Sequence, residues 1–227
     1  MFRFLAISHQ KEQSLLFYST VTNNYERHWC ILDKMEQCNQ FTTEQCEEIM
    51  RIAKEIDERY GAGTWSPGEH RPTNRVPVLV TQDGEVRPEL QTWGYKLPDY
   101  MVINARAETA TKKPMFRDSV AIGRCVVPSS GFFEWDKEKM KYHFRLPGEN
   151  ALYMAGLFTI KDGVPYYCIL TTAANESVRE IHHRMPLVLK REQVRQWLKQ
   201  PEATKEILAM IPPQLERVSA DTQLRLW

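Results

Sequence analysis

Two Asp-Gly dipeptides, each set between apolar runs, constrain this chain most. Asp83-Gly84 follows Val76-Pro77-Val78-Leu79-Val80 and precedes Leu90, Thr92 and Trp93. Asp162-Gly163 separates the run Leu152 to Phe158 from the run Tyr166 to Thr172. Asp and Gly tolerate the positive φ of a tight hairpin turn, so each dipeptide predicts a pair of antiparallel strands. Pro77 has no N–H to give and belongs near a strand's start or edge. Further short β-prone runs are Met101-Val102-Ile103, Cys125-Val126-Val127 and Phe132-Phe133-Glu134-Trp135, and Tyr142, Phe144 and Leu146 alternate with polar neighbours. Helical spacing is rarer. Thr42-x-x-Gln45 can close a capping box ahead of Ile49, Ile52, Ala53, Ile56 and Tyr60, with Gly61 and Gly63 as the stop. Cys46 then falls inside that helix as a small packing residue. Shorter helices are expected over 176–181, 192–198 and 203–210. Many hairpin-linked strands with few helices predict an α+β fold: a curved, mainly antiparallel, barrel-like sheet with flanking helices.

Composition narrows the function classes. The 227 residues allow one large domain or two small ones, and a 42% hydrophobic content can fill a sizeable core. A net charge of +1 gives no global field toward nucleic acid. Locally, residues 111–145 carry eight Lys or Arg against four Asp or Glu, a basic excess that can meet phosphates. Residues 26–60 carry five against nine. Five cysteines, an odd number without a C-x-x-C pair, speak against a disulfide framework and for a reducing cytosol. No His or Cys spacing suits a metal centre, and no glycine-rich loop suits a bound phosphate. No run approaches the roughly 20 apolar residues of a membrane helix. The first 20 residues make a poor signal peptide, because His9, Gln10, Lys11 and Glu12 interrupt their apolar patch. Residues 1–37 hold apolar patches without a period and are expected to form an atypical leader, with 38–227 as the main domain.

Three residues invite chemistry. Glu134 stands among Phe132, Phe133 and Trp135. Desolvated there, it would hold its proton near neutrality and serve as an acid or base. As a solvent-facing member of an alternating strand, it would do nothing of the kind. His182, in the Pro-bounded loop Ile181-His182-His183-Arg184-Met185-Pro186, can move protons at pH 7 or simply bond to backbone. Trp93 can stack a base or fill the core, and the two readings are even.

Six motifs, in one order, then point further: Val102-Ile103-Asn104-Ala105-Arg106-Ala107-Glu108-Thr109, Pro114-Met115-Phe116, Arg124-Cys125-Val126-Val127-Pro128, Gly131-Phe132-Phe133-Glu134-Trp135, Leu170-Thr171-Thr172-Ala173-Ala174-Asn175 and Ile181 to Pro186. The series resembles the SOS-response-associated peptidase (SRAP) family of abasic-site processing proteins, from about Thr42 to about Leu198. The resemblance implies a protein that binds single-stranded DNA at abasic sites without cofactor, metal or membrane, as a cytoplasmic monomer that joins the nucleoid when bound. It implies a covalent thiazolidine link through a cysteine that becomes N-terminal. By motif position, Asn104 would orient that terminal residue, Arg106 would hold a phosphate, Glu134 would act as general acid and base, and His182 would assist proton transfer. Trp93, Thr171 and Thr172 would line the strand groove.

The chain departs from the pattern at its start. Family members begin Met-Cys-Gly-Arg followed by an aromatic, whereas this chain begins Met1-Phe2-Arg3-Phe4. The best remaining match is Cys38-Asn39-Gln40-Phe41. Three explanations stay open: a leader is removed to expose Cys38, the start at Met1 is not the native one, or crosslinking has been lost. Two rival functions stand beside the family's: a thiol peptidase using Cys38 and His182, and a non-catalytic single-strand-binding module.

Overall fold

The computed structural model describes residues 39–219. In chain order the elements are β1 Phe41–Thr43, α1 Glu47–Tyr60, β2 Gly68–His70, β3 Arg75–Gln82, β4 Glu85–Trp93, β5 Tyr95–Lys96, β6 Met101–Val102, β7 Asn104–Arg106, α2 Ala107–Ala110 and α3 Pro114–Ile122. There follow β8 Arg124–Ser129, β9 Gly131–Trp135, β10 Lys141–Arg145, β11 Leu152–Lys161, β12 Val164–Ala173, β13 Arg184–Pro186, β14 Val188–Leu189, α4 Arg191–Lys199, α5 Thr204–Ala209 and β15 Glu216–Ser219.

Both Asp-Gly turns form as the dipeptides predict. Asp83 and Gly84 take φ of 50° and 77°, and Asp162 and Gly163 take 52° and 75°. Each closes a two-residue loop, with Gln82 paired to Glu85 and Lys161 to Val164. The hairpins β3–β4 and β11–β12 are then stitched together. β8 pairs with both β3 and β11, and β12 runs parallel to β4, so β12, β4, β3, β8 and β11 close into a five-stranded ring. Closure leaves no open edge among these strands. One side of the ring packs Leu79, Val126, Leu157 and Leu170 against Ile49, Ile52 and Ile56 of α1 and Trp197 of α4. β7 and β13 extend the ring's sheet on either side of the end of β12. A second sheet has the order β15-β10-β9-β1-β2.

Three local expectations are corrected. Thr42 does not cap a helix. It lies in β1, buried between β2 and β9, and α1 begins four residues later behind Cys46, whose side chain makes no cap bond. Cys46 is therefore the N-cap and not an interior helical residue, although its half-buried side chain does pack against the core. Pairing to two strands outweighs a one-turn box worth about 1 kcal/mol. Residues 176–181 form hydrogen-bonded turns and no helix. Asn175 holds them: its Oδ1 accepts from Ser177 N and Oγ, while its Nδ2 donates to the carbonyls of Pro212 and Pro213. The helix α3 was not expected. Its one signal is Pro114 in the first turn, where a missing N–H costs nothing.

Candidate active site

Glu134 sits near the end of β9, opposite Tyr142 of β10 and just past the stretch that pairs with β1. Alternation along β9 puts Phe132 and Glu134 on one face, and that face is covered: Phe132 is fully buried, stacked on Phe144 at 5.3 Å, and Glu134 is only 4% exposed. The solvent-facing reading of this carboxyl is thus overturned. Burial among apolar rings disfavours its charged form and raises its pKa from 4.5 to about 8. Among the described residues its Oε1 accepts no hydrogen bond. The Nδ1 of His182 lies 4.0 Å from this oxygen.

His182 arrives from the loop that Asn175 braces. Its Nδ1 is 2.8 Å from the carbonyl oxygen of Arg184 and 3.2 Å from the amide nitrogen of the same residue. His183 is exposed and packs its ring against that of His182, with 4.6 Å between centroids. Beneath the pair, Arg184 is buried. Its guanidinium grips Glu108 with two bonds of 2.6 and 3.0 Å and also donates to the Thr171 carbonyl at 2.7 Å. Glu108 lies in α2, directly after β7, so this pair ties α2 to β13. Asn104 is buried in β7 opposite Ile169, and Arg106, two residues on, is exposed.

The entry of the chain into this region is set by β1. Phe41 pairs with Phe132, and Phe133 donates its N–H to the Gln40 carbonyl at 3.0 Å. The Gln40 side chain reaches Glu69, which also accepts from Lys141 at 3.1 Å. Going back from Phe41, the backbone therefore follows β9 toward Glu134. Cys38 and the leader over residues 1–37 lie outside the described residues. The described cysteines offer poor nucleophiles in the barrel. Cys125 and Cys168 are fully buried, and desolvation pushes the Cys168 thiol up to about 12 and Cys125 well above its ordinary value.

The sequence profile described as SOS response associated peptidase (SRAP) matches residues 35–223. The chain belongs to the SRAP family. Its relatives include the abasic site processing protein YoaM of Bacillus subtilis, 30% identical over 71% of this chain and 78% of the relative. Another is the abasic site processing protein YedK of Escherichia coli, 30% identical over 74% and 82%. The abasic site processing protein HMCES of Xenopus tropicalis is 32% identical over 50% of this chain and 43% of its own. Among solved structures, a protein from Bacteroides thetaiotaomicron superposes with a TM-score of 0.65 at 22% identity, over 83% of this chain and 95% of that one. The SRAP fold is thereby shared.

Within this SRAP site the structure brings Glu134 and His182 together and sets Asn104 and Arg106 on the strand beside β12. It does not bring Trp93 or Thr171 to a groove. Trp93 is fully buried, 5.0 Å from the Phe41 ring and stacked on Tyr167, and its Nε1–H donates to the Ile103 carbonyl at 3.0 Å. It supports the residue next to Asn104 and the strand next to Glu134, with no face left for a base. Thr171 and Thr172 are likewise covered, because β12 is here paired on both sides, to β7 and to β13. The Thr171 hydroxyl faces the Arg184 guanidinium at 3.3 Å. Sequence reasoning passed over Glu108 and Arg184, although both stand in quoted motifs. The signal was a charged pair at the ends of two β runs that are otherwise apolar.

Proposed function

We propose that this chain processes abasic sites by binding single-stranded DNA and linking covalently to the opened sugar through Cys38 as an N-terminal residue. One observation carries the reading: a buried carboxyl on the strand that receives β1, with its pKa raised to about 8, lies 4.0 Å from the His182 imidazole. The described chain, followed back from Phe41 through Gln40, runs along β9 toward Glu134, which further supports the reading.

The chemistry follows from those groups. The α-amine of a terminal Cys38 adds to the aldehyde carbon of the sugar. The resulting hydroxyl leaves as water once protonated, and an imine forms. The thiol adds across the C=N bond and its proton passes to nitrogen, closing the five-membered ring with one water lost in all. Glu134, protonated near neutrality, supplies the proton for the leaving hydroxyl, and His182 relays protons between thiol and nitrogen. Arg106, exposed beside Asn104, provides a cation for a phosphate of the strand. For the amine to be free, residues 1–37 must be absent. A Cys38 thiol that attacks the Gln37 carbonyl gives a thioester and a free amine, and water then releases the leader as an acid.

A denaturing gel after incubation with abasic single-stranded DNA tests the reading, together with the intact mass of the purified protein. The expected outcome is a slow covalent band from material that starts at Cys38, whether by natural loss of residues 1–37 or by expression from that residue. Reversible binding alone from the Cys38-start chain would reduce the protein to a single-strand-binding module. Cleavage of an unrelated protein without a DNA adduct would make it a peptidase.

A further inference from the structure

The ion pair between Arg184 and Glu108 has no part in the chemistry above, yet it is the most elaborate polar contact near the site. The two residues stand 76 positions apart, in different motifs. The Arg184 side chain is only 10% exposed, and Glu108 answers it with both carboxylate oxygens, at 2.6 and 3.0 Å. A third bond fixes the same guanidinium to the Thr171 carbonyl. Taking a guanidinium out of water costs several kcal/mol that the pair only partly recovers, so such a contact is a poor source of stability. Its value lies in geometry, because a bidentate fork holds both partners in one orientation.

What it orients is the first residue of β13. The backbone of Arg184 brackets His182: the carbonyl oxygen is 2.8 Å from Nδ1 and the amide nitrogen 3.2 Å. Nδ1 donates to that carbonyl in one tautomer and accepts from that amide in the other, so the Arg184 backbone sets both the ring's orientation and its tautomer. The ring's tautomer and tilt toward Glu134 thus hang on where the Arg184 backbone sits. That backbone is held by its ladder to Ala173 and by the side-chain fork to Glu108.

We propose that Glu108 is a positioning residue that, through Arg184, fixes the orientation and tautomer of the His182 imidazole opposite Glu134. The link to catalysis rests on the reading of His182 as a proton-transfer group, but the positioning itself does not.

Nitrogen-detected NMR of the histidine rings in the full chain separates the two. In the native protein His182 should show one fixed tautomer. In Glu108→Ala and in Arg184→Lys, which keeps the charge but loses the fork, its two nitrogen signals should move toward an averaged value. Signals from His70 and His143, both buried in the second sheet, should stay in place and so report an intact fold. Glu108→Asp, a shorter carboxylate, should restore part of the shift. In the Cys38-start chain the Glu108→Ala change should slow adduct formation about tenfold, a fraction of a full general acid–base loss. Its affinity for intact single-stranded DNA should change less than threefold. Unchanged His182 signals in both variants would overturn the positioning role. Scrambled His182 signals, together with no adduct even from the unmutated Cys38-start chain, would support the positioning role and sink the proposed function instead.

Discussion

The closed barrel and the β9–His182 region are built from the same kinds of strand but treat burial in opposite ways. In the barrel, Val76, Val78, Val126, Val127, Ile169 and Leu170 are almost completely buried, and its two thiols are pushed upward and inert. Around β9 and β1 the buried set is polar: Gln40, Thr42, Thr43, His70, Ser129, Ser130, Glu134 and His143. Most of these find partners. Ser129 and Ser130 both donate to the Thr42 carbonyl, and Thr43 meets His70 at 2.9 Å. Among the described residues Glu134 Oε1 does not, and burial holds its carboxyl's pKa up at about 8. The contrast teaches that one half of the molecule makes the fold rigid and the other half spends part of that stability on a perturbed acid.

The largest expected effect sharpens this contrast. Glu134→Gln should keep the fold and slow adduct formation by the Cys38-start chain by ~10²–10⁴-fold, the usual range for losing a general acid or base. Equal rates in a single-turnover gel assay would remove Glu134 from the chemistry. The matching change in the barrel is Leu157→Ala. It should cost about 2–5 kcal/mol in denaturant unfolding, through lost burial and the cavity left behind, with little change in adduct rate per folded molecule.

The pH dependence of stability comes next, and within the β9–β1 region the titrating groups pull in opposite directions. With a folded pKa of about 8 against an ordinary 4.5, Glu134 keeps a proton in the folded state that the unfolded chain releases. Its contribution is full below about 4.5 and falls as pH rises toward 8, by up to a few kcal/mol. Burial lowers His70 and His143 from 6.5 to about 4, so the unfolded chain takes up their protons first and stability falls as pH drops through that window. Melting curves of Glu134→Gln should therefore match the native protein near pH 5 and exceed it at pH 8. An identical alkaline limb in both would contradict the neutral carboxyl.

The smallest effect tests the join between the regions. Trp93→Phe keeps a ring against Phe41 but removes one of the two donors to the Ile103 carbonyl, which retains the Ile169 N–H. It should cost about 1 kcal/mol in stability and leave affinity for undamaged single-stranded DNA unchanged. A clear loss of DNA affinity in a folded variant would return Trp93 to a stacking role.

The hairpins were legible in the residues, because Asp-Gly turns and short β-branched runs act locally and no distant contact overrides them. Amphipathic α1 was legible too, but its start was not. Thr42 and Gln45 satisfy a local capping pattern, and the pairing of β1 with β2 and β9 wins over it. Asn104, Glu134 and His182 stood out because their motifs are shared with a family and because a charge in an aromatic run is conspicuous. Trp93 and Thr171 misled for the same reason: residue type tells what a side chain is able to do, while burial decides whether it meets a ligand.

By itself, the sequence determined the strand pairs joined by tight turns, the α+β class, the family and the residue types available for proton transfer. These depend on spacing of two to four residues or on motif order, both of which are written along the chain. Only the tertiary structure decided that β12 closes on both β4 and β11, that Glu134 is desolvated, that His182 lies beside it, and that Glu108 and Arg184 meet. Each joins residues tens of positions apart, and its energy depends on the water that the rest of the fold removes.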